Sequence, residues 1–359
     1  MRITIVGGGN IGTQFAVHCA EKKHDVVMYT SNPGIFCRHL NIVDECGNTT
    51  HEGDIRLATN DPEEAFRGAD LIIVTLPSTM MKSIADTVYE HTDEKTVIGV
   101  LPGNGGSECA FGKCIDRGNT FFSIERVPAI ARLVKKGETV RSVGYRSELH
   151  ISSLPIANAE MCCELIEGIY DMPCRKIPNI LNLTMTPSNP ILHTTRLRTL
   201  FKDWKPGVTY DHVPLFYEEW DDASSELLIA CDEEVQEICR ALPEFKLDHV
   251  RSLRDHYESH TVEAMTRKIS SIQAFKGLTT PTVEYEGKLI PDLHSRYFTA
   301  DFSYGLTIIK QIADFAGVKT PNIDATLDWY KNIAVVKDEF RYEDYGIVDK
   351  KTFESFYLR

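Results

Sequence analysis

Several things are missing from this chain, and each absence closes off a class of protein. No apolar run approaches the ~20 residues that a membrane-spanning helix needs. None of the ten cysteines stands in a CxxC pair, so the spacing of a structural zinc site is absent and no metal is expected. Reduced, mostly buried thiols in a cytoplasmic protein are the expectation instead. Positive charge is short: 39 Lys and Arg stand against 52 Asp and Glu, a formal charge of −13. That balance argues against nucleic acid or an anionic membrane surface as a partner. An anionic small molecule would need a local pocket of positive charge. No internal repeat or low-complexity segment is found. Met1 leads directly into a strand pattern, which leaves no room for a signal peptide.

What is present is strand–helix alternation in the first half. Residues 2–6 are β-branched and apolar, glycines follow, and Ile11, Phe15, Ala16 and Cys19 then mark one face of a helix. Further strands are read at Asp25–Tyr29, Leu71–Leu76 and Thr96–Leu101, with helices around Pro62–Arg67, Met80–Tyr89 and Ser107–Asp116. This order predicts an α/β fold, a doubly wound parallel sheet of Rossmann type. Thr139–Tyr145 and Glu148–Leu154 read as an antiparallel pair at the sheet edge. Past about residue 185 the pattern is helical, with little strand signal. Ser224–Leu242 is the clearest helix, with Ser224 as its N-cap, followed by Ser303–Phe315 and Asn322–Ala334. The expected division is a dinucleotide-binding domain over 1–185 and an all-helical substrate and catalytic domain over 186–359.

Gly7-x-Gly9-x-x-Gly12 stands after a strand and opens a helix, the context that a dinucleotide fingerprint requires. Gly7 allows the tight turn, Gly9 the approach of a pyrophosphate, and Gly12 close helix–strand packing. The amides of Asn10 and Ile11 belong to the same helix N-terminus. At the end of the second strand an NAD enzyme usually carries Asp or Glu; here the residues are Thr30-Ser31-Asn32. Neutral donors do not repel a 2′-phosphate, and Arg38 is a candidate countercharge, so NADP is preferred over NAD. The strand-end turns at Pro77-Ser78 and Gly103-Asn104 are candidates for the nicotinamide half.

Among twelve histidines, His193 is unremarkable alone, as are Arg296 and Asp301. Together with their surroundings they form a pattern: Asn189-Pro190-x-x-His193, Phe216-Tyr217-Glu218, Arg296-Tyr297-Phe298-x-x-Asp301-x-x-x-Gly305-Leu306, and Thr320-Pro321-x-Ile323-Asp324. Glu125-x-x-Pro128-Ala129-x-Ala131-Arg132 adds to it. With the glycine fingerprint, this resembles the opine dehydrogenase family, which includes octopine dehydrogenase, over nearly the whole chain. The resemblance implies reductive condensation of an amino acid with a 2-keto acid: amine addition, loss of water and hydride reduction of the imine. His193 would then move the proton, Asp301 would fix its tautomer, and Arg296 would clamp a substrate carboxylate. Tyr217 and Asn189 are further substrate-binding candidates.

Some features depart from the family. Thr194-Thr195-Arg196 follows the histidine where relatives often carry proline and apolar residues, and Arg196 and Arg198 either bind a second carboxylate or face solvent. Glu218, Glu219, Asp221 and Asp222 either favour a cationic substrate or form a helix N-terminal cluster. The alternatives are a ketopantoate reductase-like enzyme of similar architecture, which would need a catalytic lysine, or a non-catalytic nucleotide sensor. Apolar helical surface leaves a homodimer open.

Overall fold

A computed structural model describes residues 1–359 apart from Asn104 and Pro187. The chain packs as two units: Met1–Thr184 with Ser355–Arg359, and Met185–Glu354. The last five residues thus belong with the first unit, unlike the expected boundary. The phenol of Tyr357 donates to the buried Glu108 carboxyl at 2.7 Å, and its carbonyl accepts from Asn179 at 2.5 Å.

Among the described residues, twelve strands build the first unit: β1 (Arg2–Val6), β2 (Asp25–Tyr29), β3 (His39–Val43), β4 (Thr49–Asp54), β5 (Leu57–Thr59), β6 (Leu71–Val74), β7 (Val97–Val100), β8 (Phe121–Ile124), β9 (Ile130–Lys135), β10 (Thr139–Val143), β11 (Leu149–Leu154) and β12 (Cys174–Lys176). Eight of them form one sheet in the order β12-β11-β8-β7-β6-β1-β2-β5. The six from β8 to β5 are parallel, and β11 runs antiparallel to β8. The strands flanking the centre are continuous apolar runs because both faces are covered; Ile3, Ile5, Ile72 and Ile73 are fully buried. Strand order reverses beside β1, so the glycine turn at Gly7 lies at the topological switch point.

A second, four-stranded sheet, β4-β3-β10-β9, was not legible beforehand. It packs on the helix Asn10–Glu21. That helix is therefore buried almost all round, including Thr13, Gln14 and His18, rather than along one stripe. Gln14 Nε2 donates to Ser142 Oγ. Gly53 of β4 lies so close that a Cβ there would stand 2.7 Å from the Ala20 methyl and the Glu21 amide. The expected pairing of Thr139–Tyr145 with Glu148–Leu154 is incorrect: β10 pairs with β3 and β9, while β11 joins the large sheet. Two alternating runs joined by two residues resemble a hairpin locally, but each found a better-covered partner elsewhere. The expected helix at Ser107–Asp116 is two short ones, Ser107–Ala110 and Gly112–Arg117.

The second unit is mainly helical: Asn189–Leu200, Asp222–Ala241, Val262–Ser271, Thr307–Ala316 and Pro321–Ile333 are its long helices. It also holds a hairpin, β13 (Thr282–Tyr285) and β14 (Lys288–Pro291). Its turn, Glu286-Gly287, has both residues at positive φ, the signature of a two-residue hairpin loop that the sequence did carry. The long helix starts one turn earlier than expected, capped by Asp221, whose carboxylate accepts the Ser224 amide at 2.8 Å. Glu234, on the same helix, accepts the amides of Asn322 (2.8 Å) and Ile323 (3.0 Å) and so caps the helix Pro321–Ile333. The Thr320-Pro321-x-Ile323 motif is thereby a helix junction.

Burial raises the carboxyl of Asp232, which accepts the Leu253 amide, from 3.8 to about 7. Between those values the folded chain holds a proton that the unfolded chain has released, so this group's contribution to stability falls as pH rises across that window. Urea unfolding at about pH 5 and pH 8 should show that slope in the wild type, and Asp232→Asn should flatten it.

Candidate active site

In the first unit, Gly7 adopts φ +108° and donates its amide to the Tyr29 carbonyl at 2.9 Å, turning the chain at the end of β1. A Cβ on Gly12 would overlap the Gly7 carbonyl oxygen, so only glycine lets the helix begin there. Gly9 is different: a Cβ added to it meets nothing within 4 Å. It is the helix N-cap and makes no side-chain cap, and no acidic residue occupies the first turn. Amides left without capping partners, at the positive end of a helix, suit a pyrophosphate. The residues therefore fit a dinucleotide. The Asn10 side-chain oxygen accepts the Leu133 amide of β9 at 2.7 Å. Ile11 is half-buried against the core.

Thr30 is half-buried, and Ser31 and Asn32 are exposed beyond β2; no carboxylate is among these three. The Phe36 ring packs behind Gly8, where a Cβ would stand 2.6 Å from it. Pro77 is exposed and Ser78 half-buried at the start of a short turn after β6. Gly103 is buried against Ser123 of β8, with its amide on the Ile124 carbonyl at 2.8 Å, so its requirement for glycine is a packing one. Asn104 lies outside the described residues.

In the second unit the helix Asn189–Leu200 carries His193, which is 2% exposed. His193 Nδ1 lies 2.7 Å from Asp301 Oδ2, and Nε2 lies 2.7 Å from the Tyr217 hydroxyl. A carboxylate only accepts, so Nδ1 donates to Asp301 and Nε2 accepts from the phenol. Burial, then the neighbouring Tyr297, raise the Tyr217 phenol well above its ordinary value, which keeps it a donor. Two rings pack edge-on against the imidazole: Tyr297 at 4.4 Å and Phe216 at 5.6 Å from its centroid. Tyr297 was not singled out in the sequence, although it sits within the Arg296–Asp301 pattern.

Local structure explains that pattern's spacing. Asp301 precedes a π-helical turn, Phe302–Leu306, with the Leu306 amide bonded to the Asp301 carbonyl at 2.8 Å. Wide turns of this kind recur at functional sites. Gly305 faces Pro190, whose ring would stand 2.8 Å from an added Cβ. The Pro190 and Gly305 of the two motifs thus touch, which lets the segments bearing His193 and Asp301 approach. Arg296 is exposed at the start of a short helix, its guanidinium 5.5 Å from the Tyr297 ring, and makes no ion pair among the described residues. Asn189 is exposed at the start of its helix.

Neither expectation for Arg196 holds. It is fully buried, and it donates to the carbonyls of Phe216 (3.0 Å), Leu215 (3.4 Å) and Glu219 (2.5 Å), to Asp221 (3.0 Å) and to Ser224 (3.0 Å). It pins the segment that presents Tyr217. Arg198 bonds Thr326 at 2.9 Å and joins two helices. The four acids are also engaged within the fold: Glu218 on the Gly277 amide, Glu219 on the Leu215 amide, Asp221 as cap, and Asp222 on Thr266.

Residues 176–334 match the family model described as the α-helical domain of NAD/NADP octopine/nopaline dehydrogenase. Residues 2–103 match the N-terminus of NAD-dependent glycerol-3-phosphate dehydrogenase. The chain is 27% identical to an opine dehydrogenase of Haliotis discus hannai, covering 96% of this chain and 94% of that one. It is 26% identical to a tauropine dehydrogenase of Arabella iricolor, covering 77% and 74%. Octopine dehydrogenase solved with NADH and L-arginine shares the fold, with a TM-score of 0.86, 21% identity and coverage of 98% and 97%. The class is therefore an NAD(P)-dependent dehydrogenase acting on a CH–NH bond, a Rossmann domain joined to a helical one. Within that class, the chain is similar to opine dehydrogenases over nearly its whole length.

Two substitutions separate folding from binding. Gly9→Ala should leave the melting temperature of the cofactor-free protein unchanged or slightly raised, since its backbone is extended and the space open, yet weaken the dinucleotide at least about tenfold. Arg196→Ala should instead lower stability by on the order of 3 kcal/mol in urea unfolding, because it strands several buried acceptors at once.

Proposed function

We propose that the chain condenses an amino acid with a 2-keto acid and reduces the resulting imine, or runs the reverse oxidation, with His193 as the acid–base group. The observation that carries this reading is the orientation of one buried imidazole: Nδ1 is tied to Asp301, and Nε2 accepts a hydroxyl at 2.7 Å. Nε2 is the atom at which a proton can be given or taken. The Tyr217 hydroxyl marks the position that a substrate oxygen or nitrogen takes in turn. Asp301 holds the tautomer and stabilises the imidazolium that forms when Nε2 takes a proton. Nε2 takes the proton that the substrate ammonium gives up on adding to the ketone and returns it to the carbinolamine hydroxyl, so water leaves and the iminium that remains accepts the hydride to give the secondary amine.

Arg296, exposed and without a carboxylate partner among the described residues, is suited to a two-point grip on a substrate carboxylate. Tyr217 and Asn189 complete the substrate contacts in this reading. A bound nicotinamide supplies or accepts the hydride. For its adenosine end NADP is preferred: Thr30, Ser31 and Asn32 carry no negative charge, and Arg38 is exposed nearby in sequence. A ketopantoate reductase-like chemistry has less support: it would need a catalytic lysine, and among the described residues no lysine bonds to His193, Tyr217 or Asp301. Lys268 is on the helix Val262–Ser271, paired with Glu258 at 3.0 Å.

The test is oxidation of NADPH and NADH with pyruvate, oxaloacetate or 2-oxoglutarate, with and without a panel of L-amino acids. The expected result is turnover that needs both a keto acid and an amine, with NADPH used at lower KM. Turnover with the keto acid alone would refute amine condensation. His193→Ala and Asp301→Asn should each lower kcat by about 10²–10⁴-fold. Arg296→Lys should act mainly on the KM of the carboxylate substrate, since an ammonium cannot reproduce the planar fork.

A further inference from the structure

Away from the dehydrogenase chemistry, the first helix and the strand covering it gather four side chains with metal-ligand chemistry. His18 and Glu21 stand three residues apart on the helix Asn10–Glu21, which places them on neighbouring positions of one face. His51 comes from β4, and Tyr145 from the segment after β10. One nitrogen from each imidazole and one oxygen of Glu21 lie within 4.8 Å of one another. His51 Nδ1 is 2.9 Å from Glu21 Oε2, and His18 Nε2 is 3.0 Å from the Tyr145 hydroxyl. The two imidazole rings are tilted by 54° to each other, with centroids 4.6 Å apart. His18 is 3% exposed and backed by the Tyr170 ring at 4.5 Å. Burial, then the neighbouring His51, depress its pKa to about 3, so it is a neutral base throughout the physiological range.

We propose that His18, Glu21 and His51 bind one divalent transition-metal ion of borderline softness, Zn²⁺ or its like, with the Tyr145 hydroxyl beside the remaining coordination position. Two imidazoles and a carboxylate are a donor set for such ions, whereas Mg²⁺ and Ca²⁺ prefer oxygen alone. Bonds of about 2.0–2.1 Å put tetrahedral ligand atoms roughly 3.4 Å apart, so the separations must close by at most about 1.4 Å. Glu21 and His51 can supply that movement, their side chains being 37% and 33% exposed. The ion takes the place of the hydrogen between His51 Nδ1 and Glu21 Oε2, and the neutral imidazole then carries its hydrogen on Nε2. It would also cross-link the dinucleotide-binding helix to β4. Cysteine spacing carries no sign of this site, because its ligands come from a helix turn and a strand 30 residues further on.

The probe is Zn²⁺ added to the metal-free, full-length protein and followed by calorimetry and thermal unfolding, with Co²⁺ followed by visible absorption. Saturable binding of one equivalent is expected, with a raised melting temperature and Co²⁺ ligand-field bands without thiolate charge transfer. Glu21→Gln and His51→Gln should each weaken binding at least tenfold, while metal-free stability and dinucleotide affinity stay at the wild-type level. Absence of saturable binding would overturn the proposal. So would binding that ignores both substitutions, or a thiolate band assigning the ion to cysteine.

Discussion

A histidine with 2% of its surface exposed must find a partner for each ring nitrogen or forfeit the hydrogen bonds it had in water, and much of the second unit is arranged around that demand. Asp301 answers at Nδ1 and Tyr217 at Nε2, both at 2.7 Å. Neither is close in sequence, so the backbone has to bring them in. Contact between Pro190 and Gly305 allows the two segments to approach, and the wide turn at Phe302–Leu306 sets the carboxylate at its height. The phenol depends on Arg196, whose buried guanidinium holds the carbonyls of the segment from Leu215 to Glu219. A charge that could have been read as a substrate ligand is spent on the scaffold of the residue that faces His193 Nε2.

The first unit shows a complementary economy. Its first helix is left bare of a side-chain cap or an acidic first turn at the end where a phosphate belongs, and is enclosed along its length by two sheets. Close approach on both sides rests on missing side chains, Gly12 against the glycine turn and Gly53 against the helix. Rigid enclosure of the helix body keeps the amide positions fixed, which lowers the reorganisation that binding would otherwise require. Asn10 illustrates the division of labour: its side chain anchors β9, while its backbone belongs to the uncapped helix terminus.

Much of this was legible in the sequence. The parallel core strands declared themselves as unbroken β-branched runs, and the glycine fingerprint located the switch point. His193, Asp301 and Tyr217 were all present in short motifs. The second sheet was not legible, because β4 reads Thr-Thr-His-Glu-Gly-Asp and has no apolar alternation. Its strand character comes from pairing with β3 and from lying over the helix Asn10–Glu21. The mispaired run at Thr139–Tyr145 failed for the same reason: local alternation says that a strand forms, not which neighbour it takes.

By itself, the sequence determined which segments are strands of a buried sheet, where glycine permits a turn no other residue can make, and which residue types are available for proton transfer. Tertiary structure alone decided what those residues face. Arg196 became a buried tether and Arg198 a link between helices, and the acids of the Glu218–Asp222 stretch became caps and backbone acceptors. The reason is that backbone propensity and hydrophobic pattern act within a few residues, whereas hydrogen-bond partners for buried polar groups are supplied from anywhere the chain returns. The distance of 108 residues between His193 and Asp301 is crossed only by folding.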